Sequence, residues 1–148
     1  MAHKNIRIVL RNNLSEIEKL HAELVDFGQT CGLSSRTLSE LNLILEEVVA
    51  NIISYAYGDA SRHEIVVQAD LADDELVLEV EDDGRAFNPL QIPPPDLKGP
   101  LEKRKVGGLG LHLVREFTSS ITYDRKQGKN RLVVRKRIEG NEPRERRM

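Results

Sequence analysis

The sequence predicts a two-layer α/β sandwich of the α+β class, in which a mixed, mostly antiparallel sheet carries its helices on one face. Three observations support this prediction. Segments with strand and helix patterns follow in the order β-α-α-β-β-loop-α-β-β, two segments are amphipathic at helical spacing, and two pairs of strands are joined by short turns. A chain of 148 residues is long enough for one hydrophobic core. We therefore expect a single domain over residues 1–138.

The N-terminal segment predicts a strand followed by a helix. Residues 5–10 alternate polar and apolar side chains, as a half-buried strand does. Ser15 and Glu18 have the spacing of a capping box, which predicts a helix that begins there and runs to about Thr30. Gly32 follows and is typical of a helix end.

A second helix is predicted from about Ser35. The segment 37–40 gives another capping signal, and Gly58 is expected to end the helix. Apolar residues recur at steps of three and four, which marks the buried face of the helix. These residues are Leu41, Ile44, Leu45, Val48 and Ile52.

Two hairpins complete the predicted sheet. Residues 64–71 and 75–81 are rich in valine, isoleucine and leucine and flank two aspartates, which predicts one hairpin. Residues 121–125 and 131–138 flank Gly128, which predicts the other. The last segment, 139–148, is charged and nearly without apolar residues, so we expect a disordered tail.

Between the hairpins lies a long segment with a different composition. Residues 85–106 contain five prolines, which exclude regular structure over much of their length. A loop of this length in a compact domain is usually functional or disordered. A helix is then expected to begin at the glycines that follow and to run to about Phe117.

The composition excludes several classes of function. The formal net charge of -2 and the lack of aromatic residues among the basic ones argue against a nucleic-acid partner. Cys31 is the only cysteine, so neither an intramolecular disulfide nor a multi-cysteine metal site is possible. No apolar run is long enough to span a membrane, and the first residues do not resemble a signal peptide. We expect no membrane partner and a cytoplasmic location.

Glu47 and Asn51 lie one helical turn apart, so they project from the same side of the second helix. An asparagine carbonyl oxygen suits Mg²⁺, and a glutamate can act as a general base. A simpler interpretation, that both side chains are only on the solvated side of an amphipathic helix, stays open on these residues alone. Glu46 precedes Glu47 by about 100° of rotation and cannot share its role.

Asp82 follows the strand of the first hairpin. The period of two that starts at Leu76 puts Asp82 on the buried side of that strand. A buried carboxylate is costly unless it accepts hydrogen bonds, and the amino group of adenine is one such donor. An ordinary exposed turn formed by Asp82, Asp83 and Gly84 is the alternative.

Glycines precede the third predicted helix. Gly107, Gly108 and Gly110 would let backbone N–H groups converge on an anion at the helix N-terminus. The alternative is a flexible hinge followed by a helix cap. The pattern is neither a P-loop nor a Rossmann turn, because it lacks the terminal Lys-Ser/Thr and does not follow the first strand.

Together, the three segments resemble the N, G1 and G2 boxes of the GHKL ATPases, in the same order. The matching residues are Leu45–Asn51 (LEEVVAN), Asp82–Phe87 (DDGRAF) and Gly107–Leu111 (GGLGL). Within that superfamily, which has the Bergerat ATP-binding fold, the chain is most similar to the anti-sigma factor serine/threonine kinases. The resemblance covers residues 5–138.

The resemblance implies a role for each box. Glu47 would be the general base and Asn51 the Mg²⁺ ligand, while Asp82 would bind the adenine amino group. Residues 85–106 would form the ATP lid. The remaining implied ATP-binding residues are Gly84, Ala86, Gly107, Gly108, Leu109, Gly110 and Leu111.

Two positions of the chain differ from the family pattern, and one basic cluster leaves a choice. Ala86 stands where the G1 box often has a second glycine, and Tyr55 stands where these kinases often have histidine. Lys103, Arg104 and Lys105 in the lid would meet the γ-phosphate or a protein partner, or form a solvated charge run. Glu47, Asn51 and Asp82 are all present, so ATP binding is the better supported half of the prediction.

The resemblance implies an ATP- and Mg²⁺-dependent serine/threonine protein kinase that regulates transcription by partner switching. Its substrate would be an anti-sigma factor antagonist of the STAS fold, and a sigma factor would be the competing ligand. A homodimer is the family expectation. The alternative is a nucleotide-gated binding regulator with little or no kinase activity.

Overall fold

The computed structural model describes residues 3–58, 61–89 and 115–138. Five strands form one sheet in the order β1-β2-β3-β5-β4, and all four pairings are antiparallel. Two α-helices connect β1 to β2. The elements are β1 (His3–Arg11), α1 (Ile17–Cys31), α2 (Ser35–Tyr55), β2 (Glu64–Ala72), β3 (Glu75–Asp82), β4 (Ser120–Lys126) and β5 (Lys129–Arg137).

The core lies between one face of this sheet and the helices. Alternate residues of each strand point inward, so the register aligns them in rows across the sheet. One such row consists of Ile8, Val67, Val80, Leu132 and Tyr123. The predicted two-layer α/β fold is therefore confirmed, although the parallel pair expected in a mixed sheet is not found in the described residues.

The helix α1 begins differently from the prediction. Ser15 does not cap it, because residues 14–16 form a short 3-10 turn that Asn13 caps by accepting a hydrogen bond from the Ser15 N–H. Asn13 is the better cap here because its side chain reaches the N–H two residues on. The expected end is confirmed, since Gly32 takes the left-handed conformation (φ 75°) directly after Cys31.

The helix α2 begins at Ser35, as predicted, but its cap is Ser34, whose Oγ accepts a hydrogen bond from Thr37 N. It ends at Tyr55, three residues before Gly58. The physical reason lies in the loop after β3. Arg85 donates its backbone N–H to Ala56 O and its guanidinium to Tyr55 O, which satisfies the terminal carbonyls of the helix.

Both predicted hairpins are present, and each has a two-residue turn. Asp73 has a positive φ of 57° in the first turn. In the second turn Gln127 and Gly128 both have positive φ, 54° and 77°, which is the signature of a type I′ turn. Hairpins form locally, which explains why the sequence predicts them well.

An ion pair joins the two layers. Lys136 is an inward-facing residue of β5, and its Nζ lies 2.6 Å from Glu40 Oε1 of α2. The same ammonium donates to Phe117 O at 3.0 Å. Both charged side chains are largely shielded from solvent, with 10% and 15% exposed.

Some sequence predictions fall on residues outside the described ranges. These include residues 90–106 of the proposed lid, the glycine turn with most of the helix that follows it, and the charged tail. Within the described residues, no helix is long and apolar enough to cross a membrane.

Candidate active site

The helix α2 presents Glu47 and Asn51 on one side, one turn apart. The Glu47 side chain is partly buried and that of Asn51 is buried. Asn51 Nδ2 donates a hydrogen bond to Pro89 O at 3.0 Å. This bond fixes the amide orientation, and no described residue donates a hydrogen bond to Asn51 Oδ1. The side chain is therefore not an ordinary solvated residue.

Asp82 ends β3 on the inward face, as the period of two predicts. The residue is only 2% exposed. Its Oδ1 accepts hydrogen bonds from Gly84 N at 2.8 Å and from Asn130 Nδ2 at 2.9 Å. Among the described residues, hydrogen-bond donors reach only Oδ1 of Asp82. Its Oδ2 is therefore the oxygen at which a ligand could donate.

The electrostatics of Asp82 follow from its burial. Loss of hydration raises the pKa of this carboxyl above its usual value, and Asp83 raises it further. The bonds from Asn130 and Gly84 and the charge of Arg125 oppose this effect without cancelling it. A ligand donor that binds Oδ2 would therefore replace hydration that the fold has removed.

Asn130 is a site residue that the sequence analysis missed. It is 1% exposed in β5, directly opposite Asp82 in the strand pairing. Its Nδ2 donates to Asp82 Oδ1 and also to Arg85 O at 2.8 Å. Its Oδ1 accepts from Phe87 N, the Tyr123 hydroxyl and Arg125 Nη1. The period of two in β5, extended back from Leu132, would have indicated this buried position.

Replacing Asn130 with alanine is expected to lower the free energy of unfolding by roughly 1–3 kcal/mol, because several buried groups lose their partner. Urea denaturation measures this change. Asn5→Ala is the matched control, because Asn5 is an exposed strand asparagine for which the described residues provide no such contacts. Equal losses in the two variants would show that Asn130 does not organise this loop.

The loop after Asp82 packs along the end of α2. A Cβ added at Gly84 would lie 2.5 Å from Ala56 O and 2.8 Å from Ala56 Cβ, so only glycine fits there. The rings of Phe87 and Tyr55 are 5.8 Å apart. Together with the Asn51–Pro89 bond, these contacts bring the loop to the face that carries Asn51. The first two predicted boxes are therefore adjacent.

Not every predicted site residue can be placed. Ala86 lies in this loop and is exposed, and no described contact assigns it a role. The phosphate-binding segment Gly107–Leu111 and the basic residues Lys103, Arg104 and Lys105 lie outside the described residues. Their convergence on Glu47, Asn51 and Asp82 stays a prediction.

Comparison with protein families agrees with this geometry. The model of the histidine kinase-like ATPase domain matches residues 10–136, which is most of the chain. The chain belongs to this family. The ATPase family predicted from the three boxes is therefore confirmed.

Curated relatives of this histidine kinase-like domain include serine kinases. The serine/threonine-protein kinase BtrW of Bordetella bronchiseptica is 32% identical over 68% of this chain and 71% of its own length. The serine-protein kinase RsbW of Listeria monocytogenes is 24% identical over 80% of this chain and 78% of its own. These relatives place the domain among the ATP-dependent serine/threonine protein kinases.

Solved structures of other histidine kinase-like domains have the same fold. The RsbU and RsbW domains of a Mycobacterium tuberculosis protein superpose with a TM-score of 0.64 at 18% identity, over 90% of this chain and 32% of that one. The histidine kinase domain of a blue-light activated kinase from Erythrobacter litoralis gives 0.54 at 14% identity, over 88% and 63%. This chain thus spans about a third of the first structure.

The contact of Gly84 in this histidine kinase-like domain gives a direct prediction. Gly84→Ala is expected to destabilise the fold by about 1–3 kcal/mol, because the new methyl group overlaps the end of α2. Gly58→Ala is the matched control, since a Cβ there meets nothing within 4 Å. Thermal unfolding of both variants measures the difference. A Gly84→Ala variant as stable as the control would contradict the packing described.

Proposed function

We propose that this kinase binds ATP with Mg²⁺ and transfers the γ-phosphoryl group to a serine of a STAS-fold anti-sigma factor antagonist. The observation that carries the proposal is Asp82, a buried carboxylate with one oxygen held by the protein and the other without a described partner. It lies in a loop that packs on the helix of Glu47 and Asn51.

Adenine recognition follows from the geometry of Asp82. The exocyclic amino group of adenine would donate to Oδ2, while Asn130 and Gly84 keep Oδ1 occupied and the carboxylate oriented. A base with a carbonyl oxygen at that position, such as guanine, would face the carboxylate with an acceptor. The pocket would therefore discriminate against GTP, because two acceptors without a proton between them repel one another.

The residues of α2 fit a magnesium-bound triphosphate. Asn51 offers a neutral oxygen, and no group of three or more acidic, histidine or cysteine side chains in the described part of the chain would hold a metal alone. This donor set suits Mg²⁺, which usually keeps several waters and binds through one or two protein ligands and substrate phosphates. When bound, Mg²⁺ would neutralise charge on the phosphates.

Glu47 would act on the attacking serine. It lies one turn before Asn51 on the same side of α2, so it would receive the proton of the serine hydroxyl as the bond to phosphorus forms. Positioning and charge neutralisation would supply most of the acceleration. The phosphate added to the antagonist would then disrupt its interface with the kinase and free the kinase for a sigma factor.

Phosphoryl transfer can be tested directly with γ-labelled ATP and a STAS-fold antagonist from the same genome. We expect Mg²⁺-dependent phosphoserine on the antagonist, and none on a variant whose acceptor serine is replaced with alanine. Formation of a stable complex with ATP and antagonist but without any phosphoserine would reject kinase chemistry.

The cytoplasmic location and a homodimeric state remain expectations. Size-exclusion chromatography with light scattering tests the homodimeric state.

A further inference from the structure

A second cluster of reactive side chains lies outside the ATP site, where the loop after α2 meets the end of β3. Ser61 Oγ lies 3.0 Å from His63 Nε2, and His63 Nδ1 lies 3.1 Å from Asp83 Oδ1. The order hydroxyl, imidazole, carboxylate, with these two nitrogens facing these two groups, is that of a serine nucleophile with its general base.

The imidazole of His63 is held in place. The ring of Tyr57 stacks on it, with centroids 4.4 Å apart and an angle of 16° between the planes. Asn12 fixes the backbone around it, since Asn12 Oδ1 accepts from His63 N and Asn12 Nδ2 donates to Ser61 O. The His63 side chain is 19% exposed, so the ring is largely enclosed.

The hydrogen bonds assign the chemistry of each ring nitrogen. Asp83 is an acceptor when ionised, so Nδ1 of the neutral ring carries the hydrogen and Nε2 has the lone pair. In this tautomer, the lone pair of Nε2 can accept the Ser61 hydroxyl proton. Asp83, the residue after β3, is exposed and belongs to this cluster, whereas Asp82 is buried and belongs to the ATP site.

The Ser61 hydroxyl is next to a basic cleft. Ser61 lines a cleft of about 420 Å³ together with Arg11 and Arg62. Neither guanidinium forms an ion pair with another residue of the described ranges, although both are exposed on the same cleft. Two guanidinium groups on one cleft favour a ligand that carries a negative charge.

We propose that Ser61 is the nucleophile of a second site, which takes acyl groups from small anionic carboxylic esters. Ser61 Oγ forms a bond to the carbonyl carbon while its proton passes to His63 Nε2. The ester C–O bond then breaks, and the leaving alcohol takes that proton. A water molecule repeats the sequence, which releases the carboxylic acid and restores the serine. Arg11 and Arg62 hold the negatively charged end of the substrate.

A fluorophosphonate probe tests the nucleophile without any knowledge of the substrate. We expect one adduct on the full chain by intact mass, located at residue 61 by peptide mapping. Ser61→Ala removes only one exposed oxygen, and it should abolish the adduct. Ser39→Ala is the matched control, because Ser39 is an exposed serine in α2, and this variant should be labelled like the wild type.

The role of the base and the substrate class need two more variants. His63→Gln should be labelled at about one hundredth of the wild-type rate or below, as expected when a general base is lost. Hydrolysis of mono-p-nitrophenyl glutarate should exceed that of p-nitrophenyl butyrate, and Arg62→Ala should remove the preference. If Ser61→Ala or folded His63→Gln is labelled at the wild-type rate, the proposal that Ser61 is the nucleophile is wrong. If the two esters are hydrolysed at equal rates, the proposed preference for anionic esters is wrong.

The proposal of a second site and the proposal of kinase activity can be tested independently. Ser61→Ala should retain wild-type ATP affinity and wild-type transfer to the antagonist, because the described hydrogen-bond partners of Ser61, Asn12 and His63, are not residues of the ATP site. If His63→Gln proves unfolded by circular dichroism, the comparison of Ser61→Ala with Ser39→Ala still decides whether residue 61 is the nucleophile.

Discussion

Glu47→Ala is expected to slow phosphoryl transfer by about 10²- to 10⁴-fold, which is the usual contribution of a general base. The affinity for ATP should change little, because in the proposed site Asp82 holds the adenine and Asn51 holds the metal. Single-turnover transfer to the antagonist measures the first quantity, and titration with ATP measures the second.

Glu46→Ala is the matched control for this substitution. Glu46 has the same side chain at the next position, but it points elsewhere and pairs with His21 on the surface at 3.1 Å. Its variant should transfer phosphate at the wild-type rate. Transfer that survives in Glu47→Ala would remove Glu47 from the chemistry. Absence of transfer in the wild type, with an ATP-dependent change in partner affinity, would favour the nucleotide-gated regulator instead.

Asp82→Asn is expected to reduce ATP affinity by about a hundredfold, which corresponds to about 3 kcal/mol for a lost hydrogen bond to a charged group. The asparagine oxygen would keep the bonds from Gly84 and Asn130, so its NH₂ group would point toward the adenine amino group. Two donors would then face each other. Calorimetric titration with ATP and Mg²⁺ checks this result.

The same variant should be at least as stable as the wild type at neutral pH. Burial raises the pKa of Asp82 in the folded protein above its unfolded value of about 3.9. The folded state therefore binds the proton more tightly, and stability contributed by this group is lost as the pH rises from the unfolded to the folded pKa. Asparagine has no such loss.

Urea denaturation at pH 4 and at pH 7 separates the two effects. The stability difference between Asp82→Asn and the wild type should shift in favour of the variant at the higher pH. Glu81→Gln is the control, because Glu81 is the preceding strand residue and points to the opposite face of the sheet. Loss of ATP affinity together with unfolding in Asp82→Asn would contradict the assignment.

The sequence predicts those parts of the site that follow from local periodicity. Asp82 is predicted on the buried face because a strand alternates with a period of two, and Glu47 lies with Asn51 because a helix repeats every turn. The partner of Asp82 is less accessible to this reasoning. Asn130 is 48 residues away in sequence, and only the pairing of β3 with β5 brings the two together.

Helix ends were predicted less well than helices. Ser15 and Glu18 have the spacing of a capping box, yet the residue that caps the turn before α1 is Asn13. The neighbouring Glu16 accepts a hydrogen bond from Arg11 N. The end of α2 depends on Arg85, a residue of a distant loop. Competing local hydrogen bonds decide the first case and tertiary contacts decide the second, and neither can be deduced from the spacing of residue types.

In the proposed site, the bonds of Asn130 link nucleotide occupancy to the opening of the hairpin formed by β4 and β5. Because one side chain joins β5 to Asp82, the carboxylate proposed to bind adenine, and to the loop beyond it, local unfolding of that hairpin would disrupt the site. A ligand that binds only the closed form lowers the population of the open form in proportion to its saturation. Backbone amides of β4 and β5 should consequently exchange with deuterium more slowly in the presence of ATP, although both strands lie outside α2, the helix that carries Glu47.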